Sequence, residues 1–401
     1  MLKERFFKLK GVVQHYAWGG TNFIPALVGV ANEANKPCAE YWMGAHASAP
    51  ATLQLNGETI GLDQLIAQYP AEVLTSGVFE RFGELPYLFK VLDVHEMLSI
   101  QVHPTKEEAE KGFDRENEAG IPINAPHRNY KDRNHKPEVM IALGEFWLLH
   151  GFKSKAALEK TLEEIAEFNV FLPLFKKEGI KSLYQLVMEM DQTSVNAILS
   201  SLVKKEIRRK QNGEITKQHP GWWAAKACEA AGAMEGNMDR GIFSIYFFNI
   251  VEVKPGEAVF QKAGVPHAYL EGQNIELMAN SDNVLRGGLT PKHVDVPELM
   301  KHTLFEEVTP EIMAGNPARE GEKIYPCPVP DFGISKIELG PGGSYVATAN
   351  STEIIIITEG GALINNGMVL KKGEVVAMLP GVEYQIQASG NAVLFKAFVP
   401  V

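Results

Sequence analysis

Cysteine is scarce, with only Cys38, Cys228 and Cys327 among 401 residues. Three thiols far apart and odd in number exclude a disulfide framework and a cysteine-rich metal knuckle, and predict reduced, mostly buried side chains. Long apolar runs are also missing, and none approaches the ~20 residues needed to cross a bilayer. The first residues, Met1 to Lys8, mix charge into the chain where a secretory signal would be apolar. The expectation is therefore a cytoplasmic protein without membrane contact. Positive charge is in deficit: 39 Lys and Arg against 49 Asp and Glu give a formal charge of -10. That balance excludes the broad basic surface that nucleic acid requires but leaves room for a pocket holding one phosphate. The one dense basic run, Lys204 to Lys210, reads as the solvated face of a helix.

What remains is an ordinary globular composition, 45% hydrophobic and 22% charged, in a chain long enough for two or three units around a large core. Most of the first 150 residues read as short strands punctuated by Gly and Pro, as in Tyr87 to Leu92 and Glu138 to Ala142. One acidic helix interrupts them. Thr105 and Glu108 form a capping-box pattern at its start, and it runs toward Gly112. From Phe152 to Ala231 the rhythm is helical, with Leu158, Leu162, Ile165 and Phe168 on one face. Leu183, Leu186, Val187 and Met190 repeat the pattern, and Val195, Ile198, Leu199 and Leu202 give a third helix. Strands are expected again over Gly241 to Val253. From Tyr325 onward Ile354 to Thr358, an Asn366–Gly367 hairpin signal and Val375 to Leu379 describe an antiparallel sheet.

A weak internal repeat runs through the β-rich part. Lys254-Pro-Gly-Glu leads to Gly264-Val-Pro-His267, and Lys372-Gly-Glu-Val-Val-Ala377 leads to Gly381-Val-Glu-Tyr384. Aligned on Gly256 and Gly373, Gly264 and Gly381 fall into register without a gap, and His267 stands where the second copy has Tyr384. Such turns suit the hairpins of a double-stranded β-helix or jelly roll, although two unrelated hairpins would read the same way.

The sharpest chemical signal is Leu98-Ser-Ile-Gln-Val-His-Pro104. Side chains two apart in a strand share a face, so Gln101 and His103 point into one cavity. Glu138, opening a strand after Pro137, and His267 are further donors. Two imidazoles, a carboxylate and an amide oxygen suit Zn²⁺ and leave a position for substrate. The residues alone leave other readings open: a Gln-x-His pair in a core, Glu138 paired with Lys136 or Arg133, or ligation by His15, His46, His95, His127 or His135.

Several segments together resemble a known family. They are Gln14-His-Tyr-Ala-Trp-Gly19, Ala39-Glu-Tyr-Trp-Met-Gly-Ala-His46, Leu98 to Pro104, Asn129-Tyr-Lys-Asp-Arg-Asn-His-Lys-Pro-Glu138, and Met278-Ala-Asn-Ser-Asp-Asn-Val-Leu-Arg-Gly-Gly-Leu-Thr-Pro-Lys292. In this order they are similar to the motifs of type I mannose 6-phosphate isomerases. The resemblance implies one zinc ion per chain at Gln101, His103, Glu138 and His267, and reversible conversion of mannose 6-phosphate to fructose 6-phosphate. It also implies a mainly β fold of two cupin-like jelly-roll domains plus a helical domain. Residues 1–150 and 236–320 would form the catalytic cupin, 151–235 the helical insert, and 321–401 a second cupin-like domain without ligands.

Moving a carbonyl between carbons 1 and 2 of a hexose passes through an enediol, so a cation and a proton shuttle are required. Candidates for the shuttle are Lys136, His135, Glu276 and Asp282, with no ranking possible from sequence. Arg286 and Lys292 are the charged groups expected around the substrate, Ser99 and Lys90 match family positions at the phosphate end, and Trp18 and Tyr269 are candidate walls of the sugar pocket. The expected partner is a small hexose 6-phosphate, with the chain a monomer or weak homodimer. Two rivals stand beside this reading. An Fe(II) oxygenase would place a carboxylate where Gln101 stands, and a non-catalytic sugar-phosphate-binding cupin would keep the pocket without turnover.

Overall fold

The computed structural model describes residues 2–230, 236–365 and 367–400; Asn366, and with it the Asn366–Gly367 hairpin signal, lies outside them, as do residues 231–235 of the helical insert. A ten-stranded sheet forms the first half, with the order Phe248–Val253, Phe146–Phe152, His267–Ala279, Tyr87–Val94, Glu40–Gly44, Val12–Gln14 along its main path. Glu138–Ala142 and Gln101–Val102 pair onto the strand His267–Ala279, and Leu285–Arg286 continues beyond Gln101–Val102. A seven-stranded and a four-stranded sheet make up the C-terminal part.

The strand expected at Tyr87 extends to Val94, and that expected at Glu138 spans Glu138–Ala142. The acidic helix forms over Lys106–Glu118, beyond Gly112, and the Thr105 hydroxyl accepts from the Glu108 amide at 3.3 Å. Only half of the capping box is made, because the Glu108 carboxylate is drawn to Lys301 at 2.6 Å. The helical stretch holds helices Lys155–Glu164, Leu172–Glu189, Gln192–Gln211 and Pro220–Ala230. In the second of these the buried stripe is Leu183, Tyr184, Val187 and Met188, while Leu186 is exposed. Gly179 (φ 81°) breaks the helix ahead of this stripe. Lys204, Lys205 and Arg208 are exposed, as a solvated face requires.

One sequence expectation fails. Gly241–Phe247 is a helix, and only Phe248–Val253 is strand. Every residue of that helix is buried, and a run buried on all sides carries no period that separates helix from strand. It packs with Trp223, Phe168 and Leu199 against Trp147, Leu149 and Phe152 of the sheet, so the helical layer covers one sheet face.

A second core joins the two halves. Tyr87, Phe89, Val139 and Ile141 pack with Tyr325, Phe332, Ile354 and Phe395. The N-terminal strand Phe6–Leu9 belongs to the C-terminal sheet, pairing antiparallel with Val375–Met378. The three cysteines are free, Cys38 and Cys228 buried and Cys327 partly so.

The internal repeat has a backbone counterpart. Gly256, Gly264, Gly373 and Gly381 take φ values of 82°, 79°, 80° and 82°, the left-handed region that glycine enters without strain. In the first turn the Glu257 carboxylate accepts from the Lys254 amide at 2.9 Å, and in the second Glu374 accepts from Lys371 at 2.8 Å.

Asp239 fixes the loop after Arg286. Its carboxylate accepts from the amides of Gly241, Leu289 and Thr290 at 2.7, 2.8 and 3.0 Å, holding Leu289 at φ 55°. Gly288 lies so close to Gly241 that a Cβ there would sit 2.6 Å from its Cα. Asp239→Ala leaves those amides without their partner and is expected to cost about 2–4 kcal/mol. Urea unfolding measures this, and an unchanged midpoint would show that the loop is held by other means.

Candidate active site

The long strand His267–Ala279 organises the site. His267 lies opposite Gln101, which in turn lies opposite Arg286 on the next strand. Toward its other end Glu276 lies opposite Lys90, and Lys90 opposite Trp42. In an unbroken strand His267 and Tyr269 face one side and Glu276 the other. The register shifts between Tyr269 and Glu271, and Gly272 takes φ 126°. This bulge changes the alternation, so that His267, Tyr269 and Glu276 line one small pocket of about 50 Å³ with Glu40, Lys90, Gln101, Lys136 and Glu138.

At the deep end of that pocket Glu138 lies between two imidazoles. Its Oε1 is 3.4 Å from His103 Nε2 and its Oε2 is 3.4 Å from His267 Nε2. His103 Nδ1 bonds the Asn283 carbonyl at 2.9 Å and His267 Nδ1 the Val265 carbonyl at 3.0 Å. Because a carbonyl can only accept, both Nδ1 atoms carry a proton, and both Nε2 atoms face the carboxylate. Burial, the dominant influence, lowers His103 to about 4, so it is neutral near pH 7. Its Nε2 has no hydrogen-bond partner. The lone pair of His103 and a carboxylate aimed at one another repel unless a cation lies between them. The donors of His103, Glu138 and His267 lie within 4.8 Å of one another, and all three residues are buried. This set fits a divalent metal, with Gln101 on the rim of the same pocket as the available amide oxygen.

Around it lies a buried charge network. Lys136 Nζ is 2.7 Å from Glu138. Lys90 Nζ bridges Glu276 at 3.1 Å and Glu40 at 3.3 Å, and sits 5.3 Å from the Trp42 ring centroid. Trp42 Nε1 donates to Glu40 at 2.6 Å. Burial pushes the Glu276 carboxyl above the usual range, with Lys90 opposing and Glu138 adding to the shift. Burial, then the nearby carboxylates led by Glu276, drives the Tyr269 phenol well up.

Other expected residues are distributed unevenly. Arg286 is half-buried beside Gln101, and burial lowers its guanidinium. Lys292 is exposed; partial burial lowers it, with Arg286 and then Lys131 adding repulsion. Ser99 is half-buried next to Ile100, which exchanges backbone bonds with Gly287 and Gly288. Trp18 packs on the apolar cluster beneath Tyr269. Asp282 faces His46 at 3.5 Å, a contact that lowers it to about 2. His135 does not join the metal pocket; its Nε2 meets Asp331 at 3.0 Å.

Matches with known proteins agree with this geometry. Residues 6–155 match the type I phosphomannose isomerase catalytic-domain model. The mannose-6-phosphate isomerase of Salmonella typhimurium is 37% identical, covering 98% of this chain and 99% of its own. This chain belongs to the type I mannose 6-phosphate isomerase family. The rat member of the family is 34% identical, over 98% of this chain and 94% of its own. A zinc-bound mannose 6-phosphate isomerase structure superposes with a TM-score of 0.88 at 34% identity, covering 99% of this chain and all of the other.

Sequence reasoning did not single out Glu40 or Asn283 as site residues. Glu40 follows from the strand pairing that brings it to Lys90, a long-range fact with no local signature. Asn283 is fully buried. Its Nδ2 donates to the carbonyls of Asp132 and Asn134 at 2.9 and 2.8 Å, its Oδ1 accepts from the Lys131 amide at 2.7 Å, and its own carbonyl orients His103. The preceding motif holds the only hint, an Asn among small residues. Asn283→Ala is expected to weaken zinc binding about 10- to 100-fold. Competition against a chelator reads this out, and affinity equal to the parent's would mean the loop is held without that amide.

Proposed function

We propose that this enzyme interconverts mannose 6-phosphate and fructose 6-phosphate at the pocket just described, with zinc as its cofactor. The observation that carries the reading is the pair of imidazole Nε2 atoms converging on the two oxygens of Glu138. We assign the ligands to Gln101, His103, Glu138 and His267, supported by their common pocket and by the family to which the chain belongs. Zinc, when bound, supplies a Lewis acid that stabilises negative charge developing on the sugar oxygens.

The chain's own groups do the rest. Glu276 is our choice for the proton carrier between carbons 1 and 2. Its raised carboxyl can release and recover a proton closer to neutral pH than an ordinary glutamate, and Lys90 at 3.1 Å holds it in place. Lys136 balances the buried charge of Glu138 and is the second candidate. Asp282 and His135 face other partners, which argues against either as the shuttle. Arg286, beside Gln101, offers a planar fork to substrate oxygens. Lys292 and Ser99 extend the site toward the phosphate, and Tyr269 and Trp18 form its apolar wall. The closed walls of the pocket limit water around the enediol. A non-catalytic sugar-binding protein would have no need for a buried carboxylate with a raised pKa beside the metal donors.

The finer architecture belongs to the same reading. The paired left-handed turns and antiparallel sheets support two cupin-like jelly rolls, a catalytic one from residues 1–150 and 236–320 and a ligand-free one from 321–401, with 151–235 as the helical insert. The strand Phe6–Leu9 crosses that division by pairing with the second. We place the enzyme in the cytoplasm, acting on a small hexose 6-phosphate as a monomer or weak homodimer. No helix among the described residues is long and apolar enough to cross a membrane.

Chelation is expected to abolish fructose 6-phosphate formation from mannose 6-phosphate, and added zinc to restore it. Activity that survives complete metal removal would falsify the reading. His103→Ala and Glu138→Ala are each expected to lose zinc and turnover together. Arg286→Ala and Glu276→Gln are expected to keep zinc while kcat falls about 10²- to 10⁴-fold; metal analysis beside the assay separates the two classes.

A further inference from the structure

Residues 131–138 present two sides. Pro137 restricts Lys136 to extended backbone, and in extended chain neighbouring side chains point opposite ways. Lys136 and Glu138 accordingly meet each other in the metal pocket at 2.7 Å, while His135 points out through the back. There its Nε2 donates to both oxygens of Asp331, at 3.0 and 3.1 Å. Asp331 is 2% exposed, next to Phe332 in the core that joins the two halves. The pair forms part of the wall of a cavity of about 420 Å³, with Arg81, Lys106 and Asn280.

The segment is thus gripped from two directions. Asn283 holds the backbone of Asp132 and Asn134 from the catalytic half. Asp331 holds the side chain of His135 from the C-terminal half, and among the described residues this buried carboxylate has no other hydrogen-bond or ion-pair partner. A buried acid is costly unless its hydrogen bonds are satisfied, so the contact has a defined geometry that a surface ion pair lacks. The ligand Glu138 lies only three residues from the gripped imidazole.

We propose that Asp331, acting through His135, is a positioning residue for the Lys136–Glu138 pair, and that this clasp is what the C-terminal half contributes to catalysis. The proposal rests on the assignment of Glu138 to the metal. His135 serves in it as an anchor and moves no proton.

The test compares Asp331→Ala, Asp331→Asn, His135→Ala and the Asp331→Ala/His135→Ala double variant in the full-length zinc enzyme. Readouts are kcat, KM, zinc affinity by chelator competition, and the urea midpoint of the metal-free protein. Asp331→Ala is expected to lower kcat or zinc affinity about 10- to 100-fold with KM changed less than about threefold. Asp331→Asn keeps an acceptor for His135 and is expected to stay within about threefold of the parent, a rescue that simple loss of packing would not show. The double variant is expected to be no worse than the worse single one, because both remove one contact. Losses that multiply in the double variant overturn the proposal. So does an Asp331→Ala enzyme whose midpoint falls while kcat and zinc affinity stay at parental values. Should the parent bind zinc but not isomerise hexose 6-phosphates, the functional reading fails alone, and the zinc affinities of the variants still decide the clasp.

Discussion

A carboxylate sealed between two buried imidazoles is the constraint on which this structure turns. Glu138 is almost wholly buried, His103 cannot take up a proton near neutral pH, and Lys136 satisfies only one oxygen. An isolated carboxylate in such a place is costly enough to be driven neutral or lost. A divalent ion removes the conflict and puts it to use, since the same electron-rich donors that need a cation leave it with residual charge for the sugar oxygens. The carbonyls of Asn283 and Val265, the bulge near Gly272 and the Asn283 side chain then read as parts that keep those donors aimed at one point.

Much of this was visible in the residues. Short-range rules carried the strands at Tyr87 and Glu138, the Thr105 helix start and the helical stretch after Phe152. The pairing of Gln101 with His103 on one face came from strand periodicity, Glu138 and His267 were candidate donors beside several other histidines, and the family resemblance selected them. The failures share a cause: they depend on what a segment meets, which local pattern does not record. Gly241–Phe247 is apolar on every side, so its period is silent and its packing between sheet and helices makes it a helix. Leu186 is exposed because the face that meets the core runs through Leu183, Tyr184, Val187 and Met188. Glu40 reaches Lys90 only through strand order. His135 and Lys136 are neighbours in the chain and equally plausible as acid-base groups, yet an extended backbone sends them to opposite sides.

The two matched turns show how one backbone plan serves two ends. Where the first copy places His267, the second places Tyr384, whose hydroxyl donates to Glu353 at 2.5 Å. Nearby, Lys396 meets Glu322 at 2.8 Å and Tyr345 at 2.7 Å, and Ser335 donates to Glu322 at 2.7 Å. In this lattice protein donors answer the buried acids, and a network so satisfied needs no ion. One half is built around a demand for metal, and in the other protein donors answer the buried acids.

The placement of Phe6–Leu9 also sets an order of events during synthesis. This strand is made long before its partner Val375–Met378, from which it is separated by more than 360 residues of chain. Through most of translation an apolar strand edge has nowhere to go, and pairing over so great a separation is intrinsically slow. The catalytic sheet can assemble while the chain is still growing, but this strand's pairing with the second half waits for Val375–Met378. A nascent chain that stalls before Val375 therefore exposes the same ribbon that in the folded enzyme locks the two halves together.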